Sequence, residues 1–398
     1  MELAGLKYLV VGAGLFGAVM AERIAADMGE RVLVIDRRDH TGGNCHSTID
    51  TETGIERHVY GTHIFHTAHA RVWKYINRFA TFNSYRHRVL AMVDGRAYHM
   101  PVNLLTVNDF YGTSLRPWEL HAFLAAEAGR DATKTPANLE EQAIALIGRP
   151  LYEAFIRDYT RKQWGVDPRR LPAAIVTRLP VRATCKTDYF DDPWQGLPMD
   201  GYAATFSRML AHPLIDVALG VDHADIRERI PEGCTVIYTG PLDRYFDHRY
   251  GPLGWRSLEF HEEIHLVPDF QGAAVVNHPA PDVPWTRIHE FRHLHEEREH
   301  PAAATLIARE YPRELCTAHP EPYYPMRLRE DRERLALYQR DAHAETRTIF
   351  GGRLGTYAYL DMDTTILQAL EAYDRLCERL GTDWTPPHHR PERPVARG

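Results

Sequence analysis

The sharpest pattern of apolar and polar positions lies near the amino end. An apolar run, Tyr8-Leu9-Val10-Val11, leads into Gly12-Ala13-Gly14-Leu15-Phe16-Gly17, an amphipathic stretch covers residues 18–28, and a second apolar run, Val32-Leu33-Val34-Ile35, closes on Asp36. Short continuous apolar runs bounded by turn residues fit strands buried on both faces, and the stretch between them has a helical period. The pattern predicts a βαβ unit over residues 5–40. Its glycines stand where a strand must turn tightly into a helix, where backbone amides approach a pyrophosphate, and where the helix packs on the sheet. Asp36 follows Gly17 by 19 residues, the place from which a carboxylate accepts ribose hydroxyls. An acid there disfavours a phosphorylated ribose, because two negative charges would share one small site.

A second glycine pair, Gly42-Gly43-Asn44, follows the second strand. In this it resembles FAD proteins of the glutathione reductase type, which narrows the dinucleotide to FAD. Residues 41–70 otherwise show no sustained period and are expected to form a loop over the cofactor. Residues 86–93 and 96–100 alternate around Asp94-Gly95, a strong hairpin signal. Residues 118–160 turn helical, with Leu139, Ala143, Ile144 and Ile147 on one face, then Leu151, Phe155, Ile156 and Tyr159. They predict an inserted helical lobe. Residues 165–180 mix prolines and basic side chains without period, which predicts a mobile loop. Strands are expected at 217–219, 235–238, 258–267 and 273–277, and a helix at 366–380.

The fold class predicted is α/β: a Rossmann-like FAD-binding domain with an inserted helical domain and an antiparallel substrate sheet. The expected division assigns 1–80 to the first part of the FAD-binding domain, 81–110 to a sheet segment, and 111–180 to the helical lobe and mobile loop. Residues 181–290 form a sheet domain with strands returning to the FAD domain, 291–385 complete both, and 386–398 form a flexible tail.

The composition constrains partners more than it constrains the fold. At 398 residues, 44% hydrophobic and 25% charged, the chain reads as an ordinary globular protein of two or three lobes. Its net charge of −7 argues against a nucleic-acid surface, which would be basic. Five scattered cysteines without a C-x-x-C pair argue against a disulfide framework or a zinc site. No signal-peptide pattern and no apolar run of membrane-spanning length is present, so a cytoplasmic enzyme is expected.

Several clusters could carry chemistry. Phe155, Tyr159 and Trp164 lie on one short stretch beside Arg157, Arg161 and Lys162, and aromatic faces there could stack a nucleobase; core packing is the simpler reading for Phe155. Arg178 and Arg287 are the arginines favoured as diphosphate clamps, since guanidinium forks match phosphate oxygens. His289, Glu290, His293, His295 and Glu296 read as solvated charge rather than a metal cluster, and no metal is expected. His63 and His66 flank Ile64-Phe65, and one of them is expected to touch the flavin. With no nucleophile elbow or P-loop, the cofactor is left as the reactive centre.

Taken in order, the blocks resemble the bacterial UDP-galactopyranose mutases. Gly12 to Gly17, Thr41 to Asn44, His63-Ile64-Phe65-His66-Thr67, Tyr159-Thr160-Arg161-Lys162-Gln163-Trp164-Gly165, Arg178-Leu179-Pro180-Val181-Arg182, Thr286 to Glu290, Glu321 to Pro325 and Gly351 to Met362 follow that family. The resemblance implies an isomerase that interconverts UDP-galactopyranose and UDP-galactofuranose for cell-surface polysaccharides. It implies a non-covalent FAD, kept reduced by NAD(P)H, whose N5 attacks the anomeric carbon and expels UDP. By the same match Gly12, Gly14, Leu15, Phe16, Gly17, Asp36, Arg37, Gly43, Asn44, His63, Ile64, Arg353, Asp361 and Met362 bind the cofactor. Phe155, Tyr159, Thr160, Trp164, Arg178, Tyr189, Asn277, Arg287, Tyr324, Arg353 and Tyr359 bind the substrate, with Arg178, Arg287 and His63 in the reaction. A homo-oligomer is also implied. Two alternatives share the amino-terminal unit: a redox flavoenzyme of the amine oxidase type, and a cofactor-free binding protein of the same fold.

Overall fold

The computed structural model describes residues 3–131, 133, 135–177, 180–300 and 303–381, and these form two compact units. Strands and helices are numbered along the chain. The first unit, residues 1–43, 206–242 and 344–398, is built on a five-stranded parallel sheet. Its strands are β1 (Tyr8–Val11), β2 (Val32–Asp36), β9 (Ile215–Leu219), β10 (Thr235–Tyr238) and β16 (Thr348–Phe350), in the order β16-β10-β1-β2-β9. β1 and β2 carry Val, Leu and Ile on both faces and are buried throughout except at Asp36, as central parallel strands require. α1 (Leu15–Arg23) is buried along its whole length and packs on α13 (Met362–Leu380). The stripe of α13 that makes this possible is Ile366, Ala369, Leu370, Tyr373, Leu376 and Cys377, at helical spacing. Two short helices, α9 (His223–Ile226) and α12 (Gly352–Thr356), complete the unit.

The second unit, residues 44–205 and 243–343, holds a seven-stranded sheet. Its strands are β6 (Val89–Val93), β7 (Arg96–Met100), β11 (Trp255–His265), β12 (Val275–Asn277), β13 (Arg287–Glu290), β14 (Thr305–Glu314) and β15 (Tyr324–Pro325), in the order β15-β11-β14-β13-β12-β6-β7. All neighbours are antiparallel except β12 and β6. The Asp94-Gly95 turn has positive φ at both residues, 49° and 75°, the geometry that matches the twist of a two-residue hairpin. The helical part comprises α2 (Ala70–Ile76), α3 (Leu104–Tyr111), α4 (Leu120–Ala128), α5 (Leu139–Leu151) and α6 (Asp158–Trp164). Asn103 and Asn138 accept backbone amides at the starts of α3 and α5, satisfying donors a helix start leaves unpaired. α4 and α5 pack together through Leu120, Leu124, Ala143, Ile144 and Ile147, all buried. α8 (Gly201–Met209), α10 (Leu242–Tyr245) and α11 (Arg329–Ala344) lie where the chain passes from one unit's segments to the other's.

One sequence expectation needs correction. Residues 41–70 are not simply a loop: β3 (Ser47–Ile49) pairs with β4 (Glu56–His58), and β5 (Phe65–Thr67) pairs with β8 (Trp194–Gly196). These strands are three residues long and bury Ser47, Glu56, His58 and Thr67, so no apolar alternation announces them. Residues 165–180 contain a 3-10 turn at Pro168–Arg170 and one helical turn, α7 (Ala174–Thr177). Arg178 and the tail 386–398 lie outside the described residues.

Candidate functional site

In the first unit the backbone itself makes a cradle. Gly12 sits at φ +107°, and a Cβ there would fall 2.0 Å from Thr239 Oγ1, whose hydroxyl donates to the Val11 carbonyl at 2.8 Å. A Cβ at Gly17 would fall 1.9 Å from the Gly12 carbonyl oxygen, so the helix can approach the turn only if that position is bare. The second glycine pair lies on this turn: the Gly42 amide donates to the Ala13 carbonyl at 2.9 Å, and a Cβ at Gly43 would meet Gly14 Cα at 3.2 Å. α1 begins at Gly14 with no side-chain cap and no acid in its first turn, which leaves its amino-terminal amides suited to an anion. Asp36 accepts the Ala13 amide on Oδ2 at 2.8 Å and the Arg38 amide on Oδ1 at 2.9 Å, and each carboxylate oxygen keeps a second lone pair for a hydroxyl. This donor set and its close backbone approach fit a dinucleotide.

Around the cradle, Leu15 and Phe16 are buried, and a Cβ at Gly351 would fall 2.0 Å from the Phe16 ring. Arg37 follows Asp36 at the end of β2. Arg353 donates to the Leu360 carbonyl at 2.9 Å and lies 5.2 Å from the Tyr359 ring centre, while Asp361 and Met362 form the start of α13.

Asn44, His63 and Ile64 belong to the second unit. His63 is pinned at three points: its amide donates to His58 Nδ1 at 3.0 Å, its carbonyl accepts the Tyr202 hydroxyl at 3.0 Å, and its Nδ1 meets the Gly61 carbonyl at 2.7 Å. A carbonyl can only accept, so Nδ1 carries a proton. Burial pushes His58 down to about 3, which keeps it neutral and able to accept that amide. His66 is committed elsewhere, 2.6 Å from Asp192 and stacked on Phe190 at 3.6 Å.

The second unit also gathers a set of side chains around Arg287. Strand register puts Asn277 and Glu310 on either side of it. Its Nε lies 3.4 Å from Glu310 Oε1, and its Nη2 donates to the Tyr159 hydroxyl. Glu310 is 2% exposed; Thr286 Oγ1 donates to it at 3.1 Å, and His289 Nε2 stands 3.1 Å away with its Nδ1 2.7 Å from Thr62. Burial works against both charges, yet Glu310 with Tyr159, Tyr324 and Tyr189 holds the Arg287 pKa well above its usual value. In return, Arg287 and His289 overcome the effect of burial and hold Glu310 below the usual carboxylate range. The result is a half-buried guanidinium balanced on one edge by a buried carboxylate and faced by phenols. The Trp164 and Tyr324 rings lie 6.1 Å apart, and Asn277 Oδ1 is buried without a hydrogen-bond partner. Thr160 is buried on α6, and Phe155 packs edge-on to Tyr98 and against Phe110 in the core.

Anchors that the sequence reading missed fix this arrangement. Arg182 holds the segment bearing Tyr189 through the carbonyls of Asp188 and Tyr189 and the Asp191 carboxylate. Arg256 donates to the Gln163 carbonyl at 3.0 Å and fills the space beside Gly165, which ends α6 at φ +67°. Glu310 had a usable signal: an acid, beside Arg309, between the apolar Leu306-Ile307-Ala308 and Tyr311 of a strand. The histidine-rich segment is solvated only at Glu296, with His293 half-buried, so the reading of it as solvated charge needs correction for the rest. His289, Glu290 and His295 are 1%, 0% and 2% exposed, and each histidine finds its own carboxylate: Glu310, Glu290 with Asp269, or Glu56. Ligand atoms of Asp269, Glu290 and His293 do lie within 4.8 Å of one another. Glu290, however, already accepts the Phe270 and Gln271 amides at 2.9 Å each and the Thr305 hydroxyl at 2.7 Å.

Comparison with known proteins bears on both units. The sequence model of the UDP-galactopyranose mutase family matches residues 154–359, and that of an NAD(P)-binding Rossmann-like domain matches 10–79. A "Probable UDP-galactopyranose mutase" of Klebsiella pneumoniae is 42% identical over 92% of this chain and 93% of its own length. A dTDP-fucopyranose mutase of Escherichia coli is 39% identical over 92% of this chain and 97% of its own. Among solved structures, a reduced UDP-galactopyranose mutase superposes with a TM-score of 0.71 at 17% identity, over 94% of this chain and 96% of that one. A putrescine oxidase bound to putrescine reaches 0.55 at 12% identity, over 94% and 99%; these two likenesses speak to the fold alone. On the matched family model and on relatives this similar over nearly the whole chain, the protein belongs to the UDP-galactopyranose mutase family of isomerases.

Proposed function

We propose that the enzyme interconverts UDP-galactopyranose and UDP-galactofuranose, with FAD in the glycine cradle and the substrate diphosphate on Arg287. The observation that carries this reading is the half-buried Arg287 guanidinium, which donates to the Tyr159 hydroxyl and lies against the buried Glu310, with Tyr189 and Tyr324 in its electrostatic surroundings and Asn277 Oδ1 unpartnered on the neighbouring strand. Such a set suits a phosphate ester better than a hydride donor. When bound and reduced, with NAD(P)H as the expected reductant, the flavin supplies a nucleophilic N5 for the anomeric carbon. Arg287 stabilises the charge that develops on the departing diphosphate and retains UDP for its return. Burial pushes Tyr159 up to about 12, so its phenol keeps its proton and serves as a donor at neutral pH. Trp164 offers a face to the uracil and Asn277 an amide to nucleotide or sugar hydroxyls. By family match Arg178 and Tyr359 are assigned to the diphosphate, and Arg353 and His63 to the flavin. The reading extends to a cytoplasmic homo-oligomer that supplies galactofuranose to cell-surface polysaccharide.

A second reading is favoured by the dTDP-fucopyranose mutase relative: the same site acting on a dTDP-6-deoxyhexose. One assay separates the two. The FAD-loaded, dithionite-reduced protein is given UDP-galactofuranose or dTDP-fucofuranose, and pyranose product is followed by chromatography. A higher kcat/KM with the UDP-sugar is expected; preference for the dTDP-sugar selects the second reading, and no product from either overturns both.

A further inference from the structure

Lys162, three residues after Tyr159 on α6, takes no part in the scheme above. Its ammonium lies within a ring of four backbone carbonyl oxygens, those of His278 at 2.6 Å, Val283 at 2.8 Å, Ala280 at 2.9 Å and Trp285 at 3.0 Å. All four belong to the loop joining β12 to β13. An ammonium has three protons, so one bond is shared and every proton is used.

The loop's sequence explains why it needs such a centre. It reads His278-Pro279-Ala280-Pro281-Asp282-Val283-Pro284-Trp285, and prolines contribute no backbone N–H. Three of the four carbonyls precede a proline, so their peptide groups accept but do not donate. Few amides are left to tie the loop together: that of Val283 reaches the Ala280 carbonyl at 3.3 Å and that of His278 the Thr286 carbonyl at 2.8 Å, above a hairpin of three residue pairs that ends at Asn277 and Arg287. Residues three apart on a helix share a face. On α6 that face carries Tyr159, which meets the Arg287 guanidinium at the hairpin's base, and Lys162, which gathers the loop above it. The group is half-buried, and burial pushes its pKa down to about 8 against the weaker pull of Asp282 and Asp158. At neutral pH it remains mostly charged, with a proton for each bond.

We infer that Lys162 is a positioning residue: its ammonium serves as a built-in monovalent cation for a proline-rich loop and thereby sets Arg287 against the substrate diphosphate and Asn277 against the substrate hydroxyls. The inference rests on the diphosphate reading above. It differs from simple structural support in one respect. Rings of carbonyl oxygens also replace the hydration shell of potassium, so a cation supplied from solution should stand in for the missing side chain.

The test uses the full-length, FAD-loaded enzyme and two variants. Lys162→Ala opens the ring to solvent ions, and Lys162→Met fills the space without charge. Each is assayed with UDP-galactofuranose in lithium, sodium, potassium and ammonium chloride at constant ionic strength. Calorimetric binding of UDP, which needs no flavin chemistry, is measured in the same salts. Lys162→Ala is expected to keep its flavin and to lose about tenfold or more in kcat/KM and in UDP affinity. Ammonium or potassium should recover a large part of both losses and lithium none, while Lys162→Met stays impaired in every salt. Wild-type values for Lys162→Ala, or an equal loss in all four salts, would overturn the inference and leave the functional reading intact. Cation-rescued UDP binding without mutase turnover would support Lys162 while overturning the sugar assignment. A wild-type enzyme that binds no UDP would overturn both.

Discussion

The two units build their candidate sites from different materials. In the first, the cradle is backbone: Gly12, Gly14, Gly17 and Gly43 let main-chain atoms approach, and the helix start supplies amides rather than side chains. In the second, the candidate site is side chain throughout, with Tyr159, Arg287 and Glu310 brought from one helix and two strands. The difference has a mechanical meaning. A backbone cradle is local and fails through steric intrusion, since a Cβ at Gly17 has nowhere to go. A side-chain site is dispersed and fails through lost charge balance, since removing one partner strands the other in a place where burial penalises it.

Arg287→Ala probes that contrast most strongly. On the proposed function it removes the main diphosphate contact and leaves Glu310 buried without its counterion. Loss of a group placed on developing charge typically costs about a hundredfold or more in turnover. We expect kcat to fall by at least that much while flavin absorbance per protein stays at the wild-type value, because the cradle is made elsewhere. A companion variant, Arg287→Ala with Glu310→Gln, should recover thermal stability but not turnover. Undiminished turnover in the single variant would remove Arg287 from the reaction.

Glu56→Gln asks whether charge, and not shape alone, holds the second unit together. Glu56 is 3% exposed. It accepts the Ser47 hydroxyl at 2.6 Å and pairs with Arg298 at 2.8 Å and His295 at 3.3 Å. Burial would raise its pKa, but His295, His58 and Ser47 bring it down from 4.5 to about 2. A depressed carboxylate pKa contributes stability that is fully present above pH 4.5 and lost as pH falls towards 2. The shift corresponds to roughly 3 kcal/mol. Urea unfolding at pH 7 and at pH 3 should therefore show the wild type losing stability on acidification and Glu56→Gln, weaker at pH 7, losing less. Equal acid sensitivity in the two proteins would show that Glu56 does not carry this linkage.

The same contrast explains what the sequence made legible. The β1-α1-β2 unit could be read directly because every feature of it, from the apolar runs to Asp36, lies within one short stretch governed by local rules. Arg287 and Tyr159 could be picked out as residue types but not joined, because the contact between them depends on how β13 registers against β14 and where α6 ends. His289 and His295 were misread as solvated because their neighbours in sequence are charged. Their true partners are Glu310, 21 residues on, and Glu56, in a strand too short and too polar to announce itself. The loop at 278–285 offered no reading in sequence, because only the fold turns its four carbonyls, three of them before prolines, towards Lys162.

The smallest effect is expected at Asp36, the acidic side chain within the largely backbone cradle. Its two oxygens already hold the Ala13 and Arg38 amides, so it can act either as a brace for the glycine turn or as a direct acceptor for ribose hydroxyls. Asp36→Ala removes both functions. A hydrogen bond to a charged acceptor contributes about 1.5 to 3 kcal/mol, and some of this is recovered by water at a half-exposed site. We therefore expect FAD affinity to weaken by about tenfold, read as flavin lost on serial dilution and ultrafiltration, with kcat per bound flavin unchanged. Asp36→Asn divides the two roles, because an amide oxygen still accepts one backbone N–H while the charge is gone. If the asparagine variant retains flavin like the wild type, the carboxylate is a brace and the cradle is backbone in function as well as in form. If it loses flavin like the alanine variant, the negative charge itself meets the ribose, and the first unit relies on one side chain in the way the second relies on many.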